Sequence, residues 1–93
     1  MKAMLFSVHD TKVEGFMPPF AAATPGEAER RFRTACAEPG SDFARYPGDF
    51  SLYQVGVFDT SSGGLQAMVP PVFVCQAVVD QVVEDVRRLR HGS

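Results

Sequence analysis

A chain of 93 residues with nine Lys or Arg against eleven Asp or Glu has a net charge of −2, which excludes the basic excess of a dedicated duplex-DNA binder. That length makes one domain, near the lower end of what builds its own core; 45% hydrophobic and 11% aromatic residues can supply that core and exclude wholesale disorder. No apolar run approaches the ~20 residues of a membrane span, and Met1-Lys2-Ala3 leads into a strand pattern instead of a signal peptide, so a cytosolic protein is expected.

Residues 4–8 form a short apolar run whose aromatic and β-branched content predicts a strand. Asp10 opens a turn, because its carboxylate can accept backbone amides two residues on. Residues 13–20 contain Gly15 and Pro18-Pro19, and the prolines remove two amide donors, so the segment reads as a sheet-edge strand or an ordered loop. Thr24-Pro25-Gly26-Glu27 is a helix start: Thr as N-cap, Pro at the first helical position and Glu completing a capping box. The helix presents Ala28, Phe32, Ala35 and Cys36 on one face and ends near Ala37 or Glu38, before Pro39-Gly40.

Ser41 caps a predicted single helical turn that carries Phe43 and Tyr46 and stops at Pro47. Residues 50–58 alternate, with Leu52, Gln54, Gly56 and Phe58 on one face and Tyr53, Val55 and Val57 on the other, which predicts a strand. Asp59 to Gly64 is a turn, residues 65–69 are the returning hairpin strand, and Pro70-Pro71 separates these from a further short strand at 72–75. Val78, Val79, Val82, Val83, Val86 and Leu89 then recur at helical spacing, which predicts an amphipathic helix over residues 77–90. Its basic end, Arg87, Arg88, Arg90 and His91, complements the macrodipole.

The expected fold is therefore α+β: one domain over 1–93, in which residues 1–76 form a small antiparallel sheet of three to five strands covered by one helix. The C-terminal helix would add an oligomerisation element. Its valine stripe is wider than one small sheet needs, so a homodimer or higher homo-oligomer is expected, with Val78, Val79, Val82, Val83, Val86 and Leu89 as the interface.

Catalysis is not expected. His9-Asp10 sits at a strand end with no nucleophile at a meaningful spacing, Gly63-Gly64 lacks the lysine and helix of a phosphate cradle, and no metal-ligand spacing occurs. No cofactor is expected. Cys36 and Cys75, the only cysteines, read as apolar packing residues. The arginines have two readings. Glu27 with Arg31, Glu29 with Arg33 and Glu84 with Arg88 are i,i+4 pairs that would simply stabilise helices. Alternatively, Arg30, Arg33 and the locally unpaired Lys12 and Arg45 would contact phosphates. Phe6, Phe32, Phe50 and Phe58 read as core, whereas Phe16, Phe20, Tyr46 and Tyr53 lie where rings could stack on unpaired bases.

Phe6-Ser7-Val8 with Asp10 and Lys12, then Pro19-Phe20, the Ala28 to Phe32 spacing, and Phe50 through Leu52, Gly56, Phe58 and Asp59 resemble the small nonstructural protein of gokushovirus-type microviruses, phages with circular single-stranded DNA. The resemblance runs nearly to Val74, and the helix predicted at 77–90 departs from it. It implies a nonstructural, DNA-binding protein in the cytoplasm of an infected bacterium, linked to single-stranded genome synthesis or its handover to packaging. The leading expectation is a non-enzymatic single-stranded DNA binder with Lys12, Arg30, Arg33 and Arg45 on phosphates and Tyr53 and Phe16 on bases. The other is a protein-protein regulator of phage replication or assembly.

Overall fold

The computed structural model describes residues 1–77 as an antiparallel five-stranded sheet with one main helix on one face. The α+β expectation holds for these residues. Strand β1 (Lys2–Asp10) lies inside the sheet, and the chain that pairs with its outer side is broken into β2 (Gly15–Phe16) and β3 (Phe20–Ala22). Pro18 and Pro19 explain the break, since neither has an amide to donate to β1. The gap is bridged by the Ser7 hydroxyl, which donates to the Met17 carbonyl, and by the Met17 amide, which donates to the Val8 carbonyl at 2.8 Å.

Helix α1 (Pro25–Cys36) starts as its sequence predicts. Thr24 Oγ1 accepts the Glu27 amide at 3.1 Å, while Glu27 Oε2 accepts the amide of Ala23, also at 3.1 Å, one residue ahead of the cap. Ala28, Phe32 and Cys36 are buried with Phe6, Val8, Phe50 and Leu52 of the sheet. A single turn, α2 (Asp42–Arg45), is capped by Ser41 and aims Phe43 at the core, where its ring lies 5.5 Å from Phe32 and 4.7 Å from Phe50. A 3-10 turn at Pro47–Asp49 leads into β4 (Phe50–Asp59), which pairs with β1 from Lys2↔Asp59 to Asp10↔Phe50. The Asp59 carboxylate accepts the Ser61 amide at 2.9 Å and so forms the turn into β5 (Leu65–Gln76).

The returning chain is one strand where the sequence predicts two. Between Gly56↔Ala67 and Gln54↔Val72, residues 68–71 all stand opposite Val55, so Pro70 and Pro71 ride on a bulge and interrupt no required ladder bond. Phe58, expected in the core, is half-buried, because the core gathers around the Phe50 end of β4. The i,i+4 pair of Glu27 with Arg31 does not form. Glu27 is occupied by the Ala23 amide, and Arg31 donates to the Ala21 carbonyl at 2.6 Å with its guanidinium 4.8 Å from the Phe20 ring centre. Apart from Ala77, the predicted C-terminal helix and its interface residues Val78, Val79, Val82, Val83, Val86 and Leu89 lie outside the described residues. Ala77 is buried, and its amide donates to the Phe50 carbonyl at 2.9 Å.

Candidate nucleic-acid interface

Alternation along β1 and β4 points Phe6, Val8 and Leu52 toward α1 and leaves Ser7, His9, Ser51 and Tyr53 on the opposite face. The ladder then aligns side chains across the sheet: Phe16 of β2 pairs with His9 of β1, and Tyr53 of β4 pairs with Phe73 of β5. Four rings from four strands thus form a row on the face of the sheet opposite α1. Their centroids are 4.8 Å apart for Phe16 and His9, 6.2 Å for His9 and Tyr53, 5.7 Å for Phe16 and Tyr53, and 5.7 Å for Tyr53 and Phe73, all edge-to-face. Edge-to-face contacts fix each ring against its neighbours and leave apolar surface in water: Phe16 is 48% and Phe73 57% exposed. Such a row can stack unpaired bases, since every base has a π-face.

The two base-contact residues predicted from sequence, Phe16 and Tyr53, are brought together by the fold 5.7 Å apart. Of the predicted cations only Lys12 belongs to the same part of the molecule. It sits in the turn joining the strands that carry His9 and Phe16, where its amide donates to Asp10 Oδ1 at 2.9 Å. Arg30 is exposed on α1, whose buried stripe packs on the other face of the sheet. Arg33 is held by Glu29 at 3.1 Å. Arg45, expected to lack a local partner, lies 3.6 Å from Asp42 and also donates to the Gly40 carbonyl at 3.3 Å. The fold therefore separates Arg30, Arg33 and Arg45 from the ring row.

Sequence reasoning passed over His9 and Phe73. His9 reads as a turn residue until β2 is placed beside it. Phe73 joins the row only because a register shift between Leu52 and Tyr53 reorients β5. Tyr46 is exposed at the end of α2, and Phe20 packs 6.0 Å from Phe6 on the helix side.

On that helix side a groove of about 310 Å³ is lined by Met17, Phe20, Arg31, Phe32, Ala35 and Phe43. Cys36 is buried in the core, and the half-buried Cys75 packs against the same cluster; burial pushes the Cys75 thiol up, which favours its neutral form. Among the described residues no three His, Cys, Asp or Glu cluster as metal ligands, and no helix is long and apolar enough to cross a membrane.

A family model described as Phage ORF5 protein matches residues 3–79, which takes in all the described strands and helices except Lys2 at the start of β1. No curated protein and no solved structure matches the chain. The sheet with its ring row is thus the structure of a phage-encoded protein, and the chain belongs to the Phage ORF5 protein family.

Proposed function

We propose that this protein binds single-stranded DNA without catalysing a reaction, and that it does so through the face of its sheet opposite α1. The observation that carries the reading is the row Phe16, His9, Tyr53 and Phe73, because open sheet faces bearing rings are a recurrent platform for unpaired bases. Each stacked base contributes ~1–3 kcal/mol, so a few stacks hold a single strand on a chain whose net charge is −2. Lys12, beside the row, is the first candidate for a phosphate contact; Arg30, Arg33 and Arg45 would serve only a strand that wraps around the sheet edge. Membership of a phage family supports action in an infected bacterium. The resemblance to the gokushovirus-type nonstructural protein extends the reading to the host cytoplasm and to single-stranded genome synthesis or its handover to packaging.

A second reading, a protein-protein regulator of phage replication or assembly, is favoured by the apolar groove between Met17 and Phe43 and by the ion pairs that occupy Arg33 and Arg45. Fluorescence anisotropy with a labelled oligonucleotide at two salt concentrations separates the two. Binding that favours single strands over duplex and weakens modestly as salt rises supports the first; no binding at low salt leaves the regulator.

A further inference from the structure

The sheet has two margins, and they are built differently. On one side β1 is closed by β2 and β3, with Pro18 and Pro19 in the gap between them. On the other side β5 ends the sheet, and among the described residues nothing pairs with its outer edge. Exposed edges of this kind are normally protected by charge. Here there is none: no Asp, Glu, Lys or Arg occurs between Asp59 and Asp80, in a chain that is 22% charged. The same strand carries Leu65, Val69, Val72 and Phe73, exposed by 73%, 89%, 48% and 57%. Its prolines and the bulge at residues 68–71 spoil only the middle; residues 72–76 carry no proline, and their ladder with β4 runs from Gln54↔Val72 to Ser51↔Gln76 with one extra residue, Val74, at the register shift between Leu52 and Tyr53.

We infer that this edge pairs with a second copy of the chain, β5 against β5, antiparallel across a two-fold axis within residues 72–76. An antiparallel two-fold contact sets the residue on the axis against its own copy and its neighbours against each other, so a charge near the axis would lie close to a like charge; an uncharged strand meets that requirement. Phe73 lies at the end of the ring row that borders the edge. Pairing therefore brings the two rows end to end across one continuous sheet, doubling the number of rings a single strand of DNA can cross. That consequence rests on the DNA-binding reading; the pairing itself does not.

The test contains no nucleic acid, so its failure and that of the DNA reading are distinguishable. Sedimentation equilibrium of the full chain should show a monomer–dimer equilibrium. Val69→Lys with Val72→Lys, both at exposed positions, should weaken it by about tenfold or more, because each copy then brings two positive charges to and beside the paired segment, with circular dichroism unchanged. Amide hydrogen exchange of the unmodified chain supplies an independent reading: amides within residues 72–76 should become more protected as concentration rises. A wild type that stays monomeric at every concentration overturns the inference. So does a dimer that survives the double substitution without concentration-dependent protection of 72–76, which would locate the interface elsewhere, for instance in the valine-rich segment from Val78 to Leu89.

Discussion

Replacing Tyr53 by Ala removes the ring that connects the two halves of the row, since Tyr53 alone lies within 6.2 Å of His9 and 5.7 Å of both Phe16 and Phe73. Two losses should follow, and they can be measured separately. Each edge-to-face pair contributes ~0.5–1.5 kcal/mol, reduced here because the rings are partly solvated, so three contacts give a stability loss of about 2 kcal/mol. For a domain of this size that lowers the melting temperature by roughly 8–16 °C. The missing base stack costs ~1–3 kcal/mol of affinity, or about 5- to 150-fold in Kd, with the upper half of that range expected because Phe16 and Phe73 lose their common support. Anisotropy with a labelled oligonucleotide, run well below the variant's melting temperature, isolates the second loss. Tyr53→Phe keeps the ring and should bind within about twofold of wild type. A folded Tyr53→Ala variant that binds single strands as tightly as wild type would refute the assignment of the row.

Further outcomes follow from the scaffold. A Cβ at Gly56 would lie 2.6 Å from the Gln66 carbonyl oxygen, so Gly56→Ala must push β4 and β5 apart; urea unfolding should show a loss of ~1–3 kcal/mol. Thr24→Ala removes the acceptor of the Glu27 amide and should cost about 1 kcal/mol, with Thr24→Ser restoring most of it in the same thermal melts. The Ser61 amide bonded to the Asp59 carboxylate holds its pKa below 3.8, so the folded state binds this proton less readily than the unfolded state. The resulting stabilisation is complete above 3.8 and is lost as pH falls through the lowered value. Asp59→Asn should flatten the acid limb of a melting-temperature profile and leave a smaller pH response there.

Local signals carried the elements well where a single residue type decides the backbone. Thr24-Pro25-Gly26-Glu27 predicts the start of α1, and the alternation from Phe50 predicts β4 to within a residue of its end. What alternation cannot supply is register. Whether β5 is one strand or two depends on whether Pro70 and Pro71 face a ladder or a bulge, and that is decided by four residues standing opposite Val55. The site follows the same division. Phe16 and Tyr53 are legible as rings outside the core, but His9 and Phe73 join them only through pairings between segments far apart in sequence. The arginines divide the same way: the pair of Glu29 with Arg33 is legible as an i,i+4 spacing, whereas Asp42 beside Arg45, and the face of the sheet on which α1 packs, are set by the turn at α2 and by tertiary packing.

The pairing of β1 with β4 also sets an order of events during synthesis. The hairpin of β4 and β5 closes through the short turn between Asp59 and Leu65, whereas β1 meets β4 only by joining Lys2 to Asp59 and Asp10 to Phe50. Short loops close early and long ones late, so the local hairpin forms faster than the β1 pairing that encloses α1. While the ribosome has delivered only β1, the prolines and α1, one margin of β1 is without its partner, and Phe6, Val8 and Phe32 have no Leu52 or Phe50 to pack against. Completion of the core is therefore held back until β4 has left the exit tunnel, and nascent chains stalled between α1 and β4 should be the ones that chaperones retain and proteases clear.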